Sequence, residues 1–575
     1  MMQLKLGRQE VNLYTKSLAV FLLFCSIQLH AEVFSPIPIG YQQSVPSVVD
    51  IKLPAPKIVT DPNEDIIYEL QLHLVLDVYS EWASDLNWSK LRQFYAKRDF
   101  LPVWQSPSGV SARAKVVRDM LVFSDREGLE PHEYHTTAIQ FMWRAKRARS
   151  KARLELLLTD AFLRYSVEVS VGYQYPRAAD SDWHVMPSEI DPLEQLERFL
   201  TADEAVEFID NMPPPHRAYA RLKSSLAYYR ILGEGGNWPR IPRGPQLQIG
   251  MDHEQVPLLR ARLFREEYLS LDDNLTSTLF DETLDIALKA FQSNYGHKVD
   301  GIVGRSTRKS LNVSLPHRIN IIKQNMERWR WIPRQLGERY VIVNMAGYNL
   351  DYVEKGKSII NMPVIVGEPY RATPAFVDTL KYLELNPTWS VPPRIAKEKF
   401  LPKVQKDLGF LKRNHLKVFD SWRKDANEVD PAEVDWNKLT DRWFPYKLEQ
   451  TPGKHNNMGL IKFMFPNRFR VYLHDTPNRK LFDRYVRTFS AGCIRVADPF
   501  DLAKKILKNS PEWGGADFSS ILASGETTKI DLEHDIPVYL LYWTAWVDEH
   551  GKVNFRRDVY QRDKKIATGG ELDFS

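Results

Sequence analysis

The sequence predicts a multidomain α+β protein: a helical domain and a small helical unit come first, then a β-rich domain interrupted by a helical insertion. Three observations carry this expectation. From about Asp65 to Pro245 apolar residues recur at three- and four-residue spacing, the period of an amphipathic helix. From Arg339 the pattern changes to two-residue alternation, broken at Ala346-Gly347 and Glu354-Lys355-Gly356 as strands are broken by turns. At 575 residues, with 43% hydrophobic and 26% charged, the chain has the length and ordinary globular composition for several cores.

The elements follow in order. Residues 1–31 place Lys5, Arg8 and Lys16 ahead of an apolar run from Leu18 to Leu29 and end on Leu29-His30-Ala31, the layout of a cleavable signal peptide. The run is short for a bilayer span. Lipidation at Cys25 is the other reading, and bulky Phe24 speaks against it. Export would leave Cys493 as the single thiol, with no internal disulfide possible. Removing these residues, with three basic side chains against Glu10, takes the formal charge from +5 to +3. No nucleic-acid partner is implied. Residues 32–64, rich in Pro and Val, read as an extended linker or loosely packed N-terminus that would let the folded part stand off from the membrane during export; an uncleaved signal would leave the protein membrane-associated.

Residues 65–250 form the helical domain, through stretches such as IIYELQLHLVLDVYSEWA and KARLELLLTDAFLRYSVEVSVGY. Residues 251–315 are a compact unit: Leu258, Leu259 and Leu263 begin one helix, and Leu284, Leu288 and Phe291 face another. Turns at Asp300-Gly301 and Val303-Gly304 then precede Thr307–Leu311. Residues 335–565 are the β-rich domain, ending in two strand-like runs around His550-Gly551. Pro387, Pro392 and Pro393 forbid a regular central strand around Trp389, which is therefore expected on a loop. Residues 396–450 are charged and helically periodic at first, carry Trp422, Trp436 and Trp443, and read as an inserted helical lid.

The chemistry is concentrated between Phe469 and Val496. Phe469, Val471 and Leu473 alternate with Arg470, Tyr472 and His474, so an extended strand is expected to send Tyr472 and His474 away from the core. A polar loop leads to Ser490-Ala491-Gly492-Cys493, where small residues let backbone approach a ligand. A free thiol is only a few per cent ionised at neutral pH, and an imidazole within reach raises that share. Read singly, Cys493 is a small hydrophobe and His474 a core histidine; as a pair beside Gly492 they point to nucleophilic catalysis.

His474, followed 19 positions later by Cys493 within S-A-G-C-I-R, resembles the catalytic signature of the L,D-transpeptidases, the cysteine enzymes that cross-link bacterial peptidoglycan. Ala491 stands where many members have a second histidine, as in the large periplasmic class. The order His before Cys argues against papain-like amidases. LRQFYAKRDFLPVW and EGLEPHEYH are similar to the scaffold domain of that class. FDETLDIALKAFQSNYGHKVDGIVGRSTRKSLN is similar to a peptidoglycan-binding domain, and RATPAF with LELNPTWSVPPRI to the opening of the catalytic fold.

The resemblance implies a helical scaffold, a small helical peptidoglycan-binding domain and a β-rich catalytic domain with a mixed sheet, its 396–450 insertion capping the substrate groove. It implies that the Cys493 thiolate attacks the bond between an L-centre and the terminal D-residue of a tetrapeptide stem. His474 would exchange protons with the leaving and entering amines, and the product would be a 3-3 cross-link to a diaminopimelate side chain. Main-chain N–H groups of Gly492 and Cys493, with one from Tyr472, would hold the oxyanion. Arg495 would bind stem carboxylates or steady the loop, a loop salt bridge being its other reading, and Ser490 and Trp389 would flank the substrate. The implied partners are stem peptides, glycan and carbapenem-type inhibitors, and the implied location is the periplasm. The same acyl-enzyme could serve an L,D-carboxypeptidase or attach a protein or D-amino acid to the wall; the reading from another class is a non-catalytic wall-binding protein. No cofactor is implied, since ligand-spaced clusters and phosphate-cradling loops are missing.

Overall fold

A computed structural model describes residues 64–75, 84–106, 109–234, 236, 238–515 and 517–566. The expected signal peptide and, apart from Glu64, the expected linker lie outside the described residues.

The first core is helical and is built around Ala148–Val171, whose leucines and Phe162 are buried on almost every side. Glu64–Val75, Trp88–Ala96, Ala112–Val122 and Pro192–Thr201 pack around it. Their starts are fixed locally: the side chains of Asn87, Ser111 and Asp191 accept from the N–H groups of Lys90, Ala114 and Leu193. Asp160 is buried, accepts from the Asn87 N–H at 2.7 Å and pairs with His135 at 2.9 Å.

The small unit holds Val256–Arg265, Glu282–Asn294 and Arg305–Leu311. One side chain explains its F-Q and D-G phrases. The Gln292 amide oxygen accepts from Asp300 and Gly301 N–H at 3.0 and 2.9 Å, and its nitrogen donates to Asp300 Oδ1 and Ile302 O at 3.0 Å each. Gly301 takes φ +68°, and a Cβ there would stand 2.0 Å from Asp285 Oδ1.

Arg217–Glu234 leaves the first core and packs on Leu315–Arg330, joining the large core of the C-terminal half. A buried polar network fastens the two halves there. Arg330 donates to Glu327 Oε2 at 2.9 Å and to the Tyr219 hydroxyl at 2.9 Å, and that hydroxyl donates to Glu127 at 2.7 Å. Glu327 also accepts from Trp331 Nε1 and the Gln174 N–H, both at 3.1 Å. Glu327→Ala leaves a buried guanidinium short of its carboxylate and is expected to cost about 3–5 kcal/mol, read as a lowered midpoint in thermal denaturation.

The C-terminal half is a mixed sheet of nine strands: β1 Arg339–Asn344, β2 Asn349–Glu354, β3 Lys357–Gly367, β4 Phe376–Leu385, β5 Ile461–Met464, β6 Leu473–His474, β7 Thr488–Ser490, β8 Ile494–Val496 and β9 Thr528–Leu541. Their order is β7-β3-β8-β6-β5-β4-β9-β1-β2, and β2 also pairs with β3, so the sheet rolls back on itself. Long β3 allows this: residues 357–363 pair with β2, while Val364 and Ile365 pair with β8. β1 runs parallel to β9, β6 to β8 and β7 to β3. The hairpin expected around His550-Gly551 is formed by Ala545–Val547 and Val553–Phe555.

The insertion departs from the expected helical lid. Helices fill its first part, Leu401–Lys406 and Gly409–Arg413 among them, but a four-stranded sheet follows, ordered Trp389–Ser390, Lys447–Gln450, Leu416–Phe419, Glu428–Val429. After His415, at φ +53°, buried Leu416 and Val418 alternate with exposed Lys417, a strand period. Val391, Leu401, Leu411, Val418, Trp436 and Leu448 give this subdomain its own core. Trp389 accordingly lies on an edge strand, where its flanking prolines are tolerated, and not on a loop.

Candidate active site

One register builds the site. β6 and β8 run parallel with Leu473 opposite Ile494 and His474 opposite Arg495, and the Ile494 N–H donates to Tyr472 O at 2.9 Å. Leu473 and Ile494 are fully buried in the core. Alternation therefore turns His474, Arg495 and Cys493 to the other face, and all three line one cavity of about 770 Å³.

The strand expected from Phe469 to His474 is confined to its last two residues. Arg470 takes φ +55°, and the Asn467 side chain accepts from the N–H groups of Phe469 and Val471 at 3.0 and 3.2 Å, so a side-chain-held loop replaces the ladder. The loop leaves Arg470 O to accept the Cys493 thiol at 3.7 Å.

His474 faces away from the core yet is only 4% exposed. Its Nδ1 lies 2.5 Å from Asp475 O. A carbonyl only accepts, so Nδ1 carries the proton and Nε2 is left as the acceptor. The group that orients the imidazole is thus a main-chain carbonyl. Asp475 is itself fixed: its N–H donates to Ile461 O at 2.9 Å, and its carboxylate accepts from Leu460 N–H at 2.9 Å and Arg479 at 3.2 Å. Burial first, then the charges of Arg495 and Lys462, bring the His474 pKa down to about 3.

Burial pushes the Cys493 thiol up, against smaller opposing effects of the Tyr472 N–H, Lys462 and Arg495. Among the described residues no hydrogen bond joins Sγ to the His474 ring. The resting site is thus a neutral thiol beside a neutral imidazole, with no thiolate–imidazolium pair. Iodoacetamide alkylation of Cys493 is accordingly expected to accelerate steadily from about pH 5 to about pH 8, with no plateau and no step near pH 6.5. A plateau in that window, followed by stopped-flow or mass spectrometry, would show a pre-formed ion pair instead.

The nucleophile loop is tied from within. Ser490 is 3% exposed; its hydroxyl accepts from the Gly492 N–H at 3.1 Å and donates to Cys493 O. That corrects the expectation for Gly492: its N–H is engaged and holds no oxyanion. Gly492 contributes backbone freedom, at φ +124°. The Cys493 N–H has no hydrogen-bond partner among the described residues. Tyr472 contributes its N–H, toward the sulfur, while its ring lies by Lys462 and Phe465 and does not line the cavity.

Arg495 has neither an ion pair nor a hydrogen bond among the described residues, and its Nε is buried. The loop salt bridge weighed from the sequence is not formed; Glu368 is near enough to favour the charge but not to pair with it. Trp389 lines the cavity and meets Phe400 edge-on at 6.0 Å, so it serves both the cavity wall and the insertion's core.

Several lining residues were not anticipated. The insertion supplies Lys399, Lys403 and Asn414, and the helical half supplies Asp182 and His184. Ala375 N–H donates to Asp182 O at 2.8 Å and His184 N–H to Ala375 O at 2.7 Å, and the His184 ring lies tilted against Phe469 with centroids 4.6 Å apart. No motif marks these positions, whereas Arg371, Ala372 and Pro374 on the same wall sit in the R-A-T-P-A-F phrase. Among the described residues, no group of three or more His, Cys, Asp or Glu side chains is placed to hold a metal ion, and no helix is long and apolar enough to cross a membrane.

Comparison with known proteins finds three matching domains. Residues 89–226 match a scaffold domain, 252–311 a "Putative peptidoglycan binding domain" and 338–513 an L,D-transpeptidase catalytic domain. The chain is 36% identical over 267 residues to a Haemophilus influenzae protein named "Putative L,D-transpeptidase", covering 46% of this chain and 53% of that protein. It is 39% identical over 80 residues to an N-acetylmuramoyl-L-alanine amidase of Mycobacterium tuberculosis, covering 13% and 20%. The chain thus spans about half the length of the Haemophilus relative and a fifth of the mycobacterial one. A solved L,D-transpeptidase structure from Xylanimonas cellulosilytica aligns over 52% of this chain and all of its own at 16% identity, with a TM-score of 0.15 that carries no argument about fold or site. The chain thus carries an L,D-transpeptidase catalytic domain over residues 338–513, preceded by matches to a scaffold domain and a putative peptidoglycan binding domain.

Proposed function

We propose that this chain is an exported peptidoglycan L,D-transpeptidase with Cys493 as nucleophile and His474 as the proton-transfer group. The observation that carries the reading is the β6–β8 register, which turns both side chains to one cavity, also lined by the Arg495 guanidinium, which is unpaired among the described residues.

In the first half-reaction the Cys493 thiol gives its proton to His474 Nε2 as sulfur adds to the stem carbonyl. The C–N bond to the terminal D-residue then breaks, the proton leaves on that amine, and a thioester remains. In the second, a neutral acceptor amine adds to the thioester carbonyl and passes a proton through His474 to the departing sulfur. An amide forms and the thiol is restored. A neutral imidazole with Nδ1 protonated and Nε2 as its basic nitrogen suits both steps, because it can take a proton and return it. The Cys493 and Tyr472 N–H groups are the donors offered to the oxyanion.

Transfer to an amine requires that water be kept from the thioester. The insertion and its flanks support this, since Trp389, Ile395, Phe400 and Phe410 line the same cavity as the thiol with apolar surface. Arg371, Lys399 and Lys403 add positive charge to that wall, and Arg371 is itself paired with Glu398 of the insertion at 2.7 Å. With Arg495 they suit the carboxylates of a stem peptide.

The test is intact-mass spectrometry after incubation with a carbapenem, an acyl donor for the proposed thiol. One adduct on the wild type and none on Cys493→Ala supports the reading. An unmodified wild type with its thiol confirmed reduced, still retained on isolated cell walls, would favour a wall-binding protein without catalysis.

A further inference from the structure

The R-A-T-P phrase opening β4 holds a residue that the mechanism has not used. Thr373 is fully buried and does not line the cavity. Its hydroxyl accepts from the Gly367 N–H at 3.0 Å and donates to Gly492 O at 2.8 Å. Its own carbonyl accepts from Arg562 Nη2 at 3.0 Å. Arg562, 2% exposed, pairs with buried Asp180 of the helical half at 3.3 Å. The Tyr560 hydroxyl donates to Gly367 O at 2.7 Å. Thr373 is therefore held by buried partners from the C-terminal segment and the helical half, and it holds the nucleophile loop in turn.

What it holds is one peptide plane. In a trans peptide the C=O and the following N–H point in opposite directions. With Gly492 O drawn inward to Thr373, the Cys493 N–H is turned outward, on the side where Cys493 meets the cavity. Gly492 at φ +124° cannot fix this plane unaided, because glycine passes between conformations that other residues avoid. Ser490 ties the peptides on either side of the plane, through Gly492 N–H and Cys493 O, and leaves the plane itself to Thr373.

We infer that Thr373 is a positioning residue whose hydroxyl orients the Gly492–Cys493 peptide so that the Cys493 N–H meets the acyl oxygen. The inference rests on the proposed acyl-enzyme chemistry. It separates two reactions of the same thiol: acylation develops an oxyanion and needs the donor, whereas alkylation by iodoacetamide develops none.

The experiment compares wild type, Thr373→Val and Thr373→Ser in the full chain, measuring carbapenem acylation and iodoacetamide alkylation of Cys493 by intact mass. Thr373→Val keeps the shape and removes the hydroxyl. It is expected to slow acylation by about 10²-fold with alkylation unchanged, and Thr373→Ser is expected to restore most of the acylation rate. Wild-type acylation in Thr373→Val overturns the inference. So does a parallel loss of both reactions, which would mean that the thiol itself has been displaced or the fold lost. A wild type that alkylates but never acylates overturns the acyl-enzyme reading and this inference with it.

Discussion

His474→Ala is expected to slow carbapenem acylation by about 10²- to 10⁴-fold while leaving alkylation of Cys493 at alkaline pH at the wild-type rate. The contrast follows from the resting electrostatics. Burial holds the imidazole neutral, with a pKa of about 3, and holds the thiol protonated. His474 therefore does not pre-form the thiolate; it takes the proton only as the sulfur adds to a carbonyl. Bulk hydroxide can replace it in alkylation but not in returning a proton to the leaving nitrogen. A parallel fall in both rates, measured by mass spectrometry from about pH 6 to about pH 9, would mean that the pair is ionised at rest and that burial does not dominate.

Arg495→Gln is expected to lower kcat/KM for a tetrapeptide stem by about 10- to 100-fold, chiefly through KM, without lowering the thermal midpoint. A charge-assisted hydrogen bond to a substrate carboxylate contributes about 1.5–3 kcal/mol. Before substrate binds, the guanidinium lies in the cavity wall with no partner among the described residues, and burial pulls its pKa down. Removing an uncompensated charge relieves a desolvation cost, so the folded protein loses nothing. Unchanged kinetics together with a lower midpoint would assign Arg495 to loop packing instead. The two variants also differ in kind: His474→Ala acts on the acylation rate at saturating donor, Arg495→Gln on the concentration needed to reach it.

Much of the site was legible because the relevant signals are local. A histidine and a cysteine 19 positions apart, with Gly492 beside the thiol, can be read without knowing the fold. The register that brings them together cannot, since nothing in the residues between says that β6 and β8 run parallel and adjacent. The group orienting His474 escaped detection for a different reason: it is the carbonyl of Asp475, and main-chain atoms are the same at every position. Asp182 and His184 come from the helical half, and only tertiary packing brings them to the wall.

The errors have physical sources too. Alternation from Phe469 to His474 read as a strand, but Pro466-Asn467 is a turn pair, and the Asn467 side chain takes the hydrogen bonds that a ladder would have used. The insertion read as helical because KEKFLPKVQKDLGFLKRNH dominates its pattern, while strands of two to four residues are too short to show a period. Arg217–Glu234 continues the helical periodicity of the preceding domain, and its apolar face carries it into the core of the C-terminal half.

Acyl transfer from Cys493 to an amine is tested by incubating the purified protein with a disaccharide tetrapeptide and separating the products by mass. The account predicts a cross-linked dimer with loss of one terminal D-residue per link, absent with Cys493→Ala. Free tripeptide alone, undiminished as acceptor is added, would contradict it and make the protein a hydrolase.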